Sequence, residues 1–202
     1  LLRGEGIILL FHRVKEKEDL LPSSINRTMA ISSETLERIL LFFLDHGFSF
    51  VSMDDIYFHL SGEIELSFPF AAVTFDDGYN DLYHVALPVF RKHQIPFAAY
   101  LTTSFLDGKG ILWWYLLEDL LSSRDHLDFR SDGQSFSYRI SDRNRETVFC
   151  DLRKLLMGKR GDHGLYQALF EDNGLDLYRY SEECLTWEMA AEMSADPLVT
   201  FG

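Results

Sequence analysis

The residues best suited to chemistry stand together in Thr74-Phe75-Asp76-Asp77-Gly78-Tyr79, where an apolar run from Ala71 stops at two adjacent carboxylates and a glycine. Val73 and Phe75 favour a strand and Asp76, Asp77 and Gly78 favour a turn, so a buried strand is expected to feed a loop. Two neighbouring acids at one strand end are costly to hold together. One can keep its charge by binding a cation while the other works as a base. An ordinary strand ending in an Asp-Gly turn shares the last few residues, but the full run with its apolar approach points to function.

The elements around this run must position it. Gly6 to Phe11 is a short apolar run expected to be a central strand of a mainly parallel sheet, with His12 and Arg13 at its C-terminal end. His12 is expected near the site, because catalytic groups collect at the C-terminal ends of barrel strands; a structural histidine bonding a loop carbonyl is the other reading. Residues 15 to 31, with Pro22, Ser23 and Ser24, read as a loop over one rim. Ser32 or Ser33 caps a helix whose Leu36, Ile39, Leu40, Phe43 and Leu44 share a face, and Gly47 ends it. A brief strand over Phe48 to Val51 and a helix from Met53 to Leu60 lead to the acidic run. After it come a helix with Pro88 near its regular start and a strand over Ile95 to Thr102. Strands alternating with helices argue for an α/β architecture.

From about 107 to 180 that alternation lapses. Trp113-Trp114-Tyr115 opens a helix, Phe129 to Ile140 with Asp132-Gly133 at its middle reads as a hairpin, and two further helices follow. The segment is expected to be an insertion into a single (partial) domain spanning 1–202. It is short and lacks a Pro/Gly/Ser-rich linker. The aromatic triplet could stack on sugars, although anchoring its helix in a core is the commoner use.

Thr74-Phe75-Asp76-Asp77-Gly78 resembles the first motif of the polysaccharide deacetylases, the NodB-homology domain of carbohydrate esterase family four. The resemblance implies an incomplete, distorted (β/α) barrel and a hydrolase that removes acetyl groups from N-acetylated carbohydrate by cleaving the amide C–N bond. It implies Asp76 as the general base and Asp77 as a ligand of a divalent metal, usually zinc, with His12, Thr74, Gly78 and Tyr79 lining the site. Leu9 to Val14 is similar to the family's opening strand, and Leu185-Thr186-Trp187-Glu188 to its Leu-Thr-Trp helix, with Thr186 as cap and Trp187 as core packing. The family's second motif, His-Ser/Thr-x-x-His, is not present. The seven histidines are His12, His46, His59, His84, His93, His126 and His163, and the closest in sequence, His84 and His93, are nine residues apart. No local pair of ligands exists. Asp77 alone, or with Asp76, would hold a hard cation only weakly. The strand expected over 197 to 201 would lead into the missing motif. The remaining ligands are therefore expected after Gly202, and the 202 residues alone are expected to be inactive.

Composition narrows the alternatives. A formal charge of −13 argues against nucleic acid, and 47% hydrophobic with 25% charged residues is globular composition. No apolar run reaches the length of a membrane span. Leu1 in place of Met leaves the compartment unassigned. Cys150 and Cys184 read as buried small hydrophobes, not as a disulfide framework. An acetylated glycan is the expected partner, and nothing in the sequence sets an oligomeric state. Two further readings stay open: a catalytically silent carbohydrate-binding or assembly domain of the same fold, and a phosphoryl-transfer enzyme using Asp76 with magnesium. The latter would want a second Asp at position 78, which is Gly78.

Overall fold

The protein was analysed as a computed structural model, which describes residues 4, 6–21, 24–159 and 161–202. In chain order it forms β1 (Gly6–Phe11), β2 (Arg13–Lys15), β3 (Ala30–Ser32), α1 (Ser33–Asp45), β4 (Ser49–Phe50), α2 (Met53–Leu60) and β5 (Phe70–Phe75). Next come α3 (Leu87–His93), β6 (Phe97–Ala99), α4 (Thr103–Leu106), α5 (Trp113–Ser122), β7 (His126–Ser131) and β8 (Gln134–Arg139). The chain continues with α6 (Arg145–Gly158), α7 (His163–Leu169), α8 (Trp187–Ser194) and β9 (Val199–Phe201). It divides into two compact units: Leu1–Pro22, Arg27–Gly110 and Glu182–Gly202 form one, and Ser23–Asn26 with Ile111–Ser181 the other.

The first unit is built on a five-stranded sheet in which every pairing is parallel, as an α/β fold requires. β5 is its centre. β1 pairs along its whole length on one side, and β4 and β6 share the other, β4 at the N-terminal half and β6 at Thr74 and Phe75. All six residues of β5 are buried, which explains a sequence that is apolar but for Thr74. Phe75 packs edge-on against Phe90 of α3 and Phe97 of β6, with ring centroids 5.7 and 5.6 Å apart. On the opposite face Phe70 and Ala72 meet Ile56 of α2. β1 is not central as its composition suggests. Among the described residues it has β5 as its only sheet neighbour, and Ile8 and Leu10 are exposed.

The helices start and stop where local chemistry directs. The Ser32 hydroxyl accepts from the Thr35 N–H and caps α1, and Ser52 with Asp55 forms a reciprocal capping box on α2. Gly47, at φ 77°, follows the C-cap of α1 in the left-handed conformation that glycine tolerates. Only Leu36 and Leu40 of the expected apolar face of α1 are fully buried; Leu44 is exposed. Before α3 the chain makes a π-helical segment, Leu82–Ala86, in which the Leu87 N–H reaches back five residues to the Leu82 carbonyl. Pro88 explains the wider turn, since it has no N–H to donate and its ring would crowd the carbonyl four residues earlier. The expected loop over residues 15 to 31 is partly ordered instead, because β2 and β3 pair in parallel at Arg13–Ala30, Val14–Ile31 and Lys15–Ser32. Pro22 and Ser23 lie outside the described residues.

The second unit has a core of its own. Leu116, Leu117, Leu120 and Leu121 of α5 pack with Leu127 and Phe129 of the β7–β8 hairpin and with Leu152 and Leu156 of α6. Trp113 and Trp114 lie half-buried against that core, which is the anchoring use of the aromatic triplet. Glu118 of α5 fastens a short remote stretch to this unit by accepting from the Ser24 hydroxyl, the Ile25 N–H and the Asn26 side-chain amide.

The two cysteines differ in setting. Cys150, expected to be buried, is exposed on α6, because it falls on the outer side of a helix whose inner side is Val148, Phe149, Leu152 and Leu156. Cys184 is buried, and burial pushes its thiol up to about 11. At pH 8 a thiol reagent should therefore modify one cysteine per folded chain, and the second only on unfolding. Rapid reaction of both thiols in the native protein would contradict this burial.

Candidate active site

The acidic loop sits at the C-terminal end of β5, level with the ends of β1 and β6. The Asp76 N–H donates to the Phe11 carbonyl (3.1 Å), extending the β1–β5 ladder by one bond. The chain then turns tightly. Asp77 has φ 73° and the Gly78 N–H donates to the Asp76 carbonyl (2.9 Å), a γ-turn centred on the second carboxylate. A non-glycine residue held there costs on the order of 1–3 kcal/mol, and such strain concentrates at functional sites. Gly78 follows at φ 90°, where a Cβ would also press on Leu101 at 3.1 Å.

Two backbone tethers hold the turn. The Thr102 N–H donates to the Asp77 carbonyl (3.0 Å), and the Leu185 N–H to the Gly78 carbonyl (2.9 Å). The second tether continues as a short antiparallel run, with Tyr79 opposite Cys184 and the Asn80 N–H donating to the Glu183 carbonyl (2.9 Å). The loop is fixed by main-chain bonds on both sides, so its side chains are presented by a rigid frame.

Asp76 and Asp77 are both half-buried. Burial raises the Asp77 carboxyl above the usual aspartate range, the Asp76 charge adds to that rise, and His12 opposes it. His12 Nδ1 lies 3.2 Å from Asp77 Oδ2, with the imidazole about one-third exposed. The structure therefore brings His12, Asp76 and Asp77 together. Thr74 and Tyr79, expected to line the site, are buried instead. Thr74 points its hydroxyl at the Leu9 carbonyl, and Tyr79 lies under the Arg13 guanidinium, 4.3 Å from the ring centroid.

Behind the loop lies a charge cluster that motif reading passed over. Arg13 is 3% exposed. Its Nε donates to Asp81 Oδ2 (2.6 Å) and its Nη2 to Glu183 Oε2 (2.5 Å), while Asp81 Oδ1 accepts from the Val14 N–H (3.1 Å). Burial dominates at Asp81 and raises its carboxyl despite the guanidinium beside it. The sequence signal was present as a third acid in Asp76-Asp77-Gly78-Tyr79-Asn80-Asp81 and as a cation directly after His12. Trp187 and Asp107 were also missed. Trp187, expected in the core, is 49% exposed and donates its indole N–H to Asp107 Oδ1 (2.9 Å).

Asp77 offers a hard oxygen donor suited to a divalent cation. Among the described residues, however, no group of three or more His, Cys, Asp or Glu side chains could hold a metal ion. The residues present fit one position of a metal site and do not complete it.

A parallel sheet that delivers two adjacent carboxylates from the C-terminal end of its central strand defines an α/β protein whose acidic loop is the candidate site. Residues 64–127, which include β5 and the acidic loop, match the family model for polysaccharide deacetylase. No curated protein matches significantly. Among solved structures the chain is similar to a de-N-acetylase from Aggregatibacter actinomycetemcomitans, at 16% identity and a TM-score of 0.55, covering 98% of this chain and 53% of that one. It is also similar to IcaB from Ammonifex degensii, at 22% identity and a TM-score of 0.51, covering 99% of this chain and 53% of that one. The chain thus spans about half the length of the structures it matches. The deacetylase resemblance carried by Thr74 to Gly78 is upheld by the family match over residues 64–127, and the fold is similar to that of these two structures.

Two consequences can be measured. Arg13→Met leaves Asp81 buried without its counter-charge and should cost about 3–5 kcal/mol of stability. Adding Asp81→Asn should recover part of that loss, and strictly additive losses in urea unfolding would rule out the pairing. At the turn, Asp77→Val should lower stability by about 1–3 kcal/mol, because a β-branched residue cannot take this φ cheaply. Asp77→Gly should be at least as stable as the parent, and equal stability of all three chains would show that the turn stores no strain.

Proposed function

We propose that the whole protein is a metal-dependent hydrolase that removes acetyl groups from an N-acetylated carbohydrate, and that these 202 residues carry its acidic half. The observation that supports this is the Asp76–Asp77 pair, held on a strained, doubly tethered turn inside the segment that matches the family. Asp76 is the base: its half-buried carboxylate takes the proton from the water that attacks the acetyl carbonyl. As the C–N bond breaks the departing amine needs a proton, whose donor in this reading comes from outside these residues, while His12, partly exposed beside Asp77, lines the site. Asp77 is the residue that would hold a divalent ion, zinc in this reading, with its other donors from outside these residues. When bound, such an ion supplies Lewis acidity toward the acetyl oxygen. The Arg13 cluster ties the start of β2, one residue past His12, to Asp81 after the two acids and to Glu183.

The donor set, incomplete among the described residues, equally suits the rival reading, a silent glycan-binding or assembly domain of the same fold. Metal content and turnover of the whole protein separate the two. Asp76→Asn is expected to lower deacetylation of an N-acetylated oligosaccharide by about 10²–10⁴-fold with metal content unchanged. Asp77→Asn should lose both, and a chelator should abolish activity that added zinc restores. Full activity in Asp76→Asn would remove Asp76 as base, and a whole protein that neither takes up metal nor deacetylates would favour the silent domain.

A further inference from the structure

We propose that Trp187 is a stacking surface for one sugar ring of a glycan bound beside Asp76, with Asp107 as the residue that positions it; this rests on the deacetylase reading above. Trp187 opens α8, yet 49% of its surface is exposed, which is unusual for the largest apolar side chain at the start of a packed helix. The ring is not loose, since its indole N–H is bonded to Asp107 Oδ1 at 2.9 Å, just past the end of α4. Its place in the chain sets it near the acids. It follows by two residues Leu185, whose N–H bonds the Gly78 carbonyl, so its Cα lies within about 7 Å of the Leu185 Cα. The other tether is bracketed in the same way, because Tyr100, also exposed, precedes by two residues the Thr102 N–H that bonds Asp77.

A partly exposed indole, bonded to Asp107 and two residues along from the segment tethered to the acidic loop, suits a pyranose. The sugar's C–H face packs on the ring while its hydroxyls stay at the polar edge. The hydrogen bond also gives Trp187 a plain tethering role between α8 and the turn after α4. Tethering needs the N–H, whereas stacking needs the ring. Trp187→Phe keeps the ring and loses the N–H, so it distinguishes the two roles.

The test uses the whole protein and a β-linked N-acetylglucosamine tetramer, with binding measured by calorimetry, deacetylation followed alongside, and thermal melting as the folding control. Trp187→Ala should bind the tetramer about tenfold more weakly and Trp187→Phe within about threefold of the parent. Wild-type affinity in Trp187→Ala, or equal weakening in both variants, overturns the stacking role. If the parent and Trp187→Ala bind and deacetylate alike, the subsite is wrong and the deacetylase reading stands. A parent protein that neither binds nor deacetylates the tetramer overturns both.

Discussion

The interaction on which the rest of the first unit depends is the buried guanidinium of Arg13. It sits at the start of β2, one residue past His12, and reaches Asp81 on the far side of the acidic loop and Glu183 in the segment leading to α8. Three stretches far apart in sequence therefore share one charge at 3% exposure. Such a group is a poor source of net stability, because taking the charges out of water costs about as much as their attraction returns. Its effect is on arrangement: any packing that separates the three stretches strands a charge away from water. That penalty keeps His12 against Asp77 and holds the 182–185 segment on the loop.

The strain at Asp77 is intelligible only against this frame. An aspartate at φ 73° with its carboxyl raised by burial is unfavourable twice over, in backbone and in solvation. Neither cost would persist in a free loop. They persist because the carbonyls of Asp77 and Gly78 are each claimed by a main-chain N–H from a different segment. Substituting side chains in this loop should thus change chemistry or stability more readily than geometry, an uneven balance typical of sites that trade stability for activity.

Much of this was legible in the sequence because it is local. The apolar run into Asp76-Asp77-Gly78, the Ser32 cap, the hairpin turn at Asp132-Gly133 and the proline at the start of α3 are each fixed by residues within a turn or two of one another. What was not legible depends on partners remote in the chain. Trp187 reads as core by type, but whether it is covered depends on what α8 packs against, and Met193 and Ala190 fill that role instead. Cys150 fails in the same way, since a small apolar residue on a helix goes wherever the larger ones leave it. β1 looks like a central strand from composition alone, yet a continuous apolar run does not say how many neighbours a strand has. Arg13 was the most costly omission: a charged residue after a histidine suggests a site edge, and only the fold shows it buried over the ring of Tyr79.

The same distinction bears on the candidate site. Its acidic residues are adjacent in sequence and so were found at once, whereas a metal site is assembled from residues whose distance in sequence carries no signal unless they recur at a fixed spacing. His12 shows how such a residue enters. It stands at the end of a different strand, and the parallel register pairing Phe11 with Phe75 places it across from the acids by a rule of sheet geometry, not of sequence. Parallel strands put their C-terminal ends at one face, so residues that follow β1 and β6, which end level with β5, are candidate neighbours of Asp77. That rule explains why residues after β1 and β6, namely His12 and Thr102, converge on the same turn. It also explains why the chemistry can be spread along the chain while its acidic centre remains two adjacent residues.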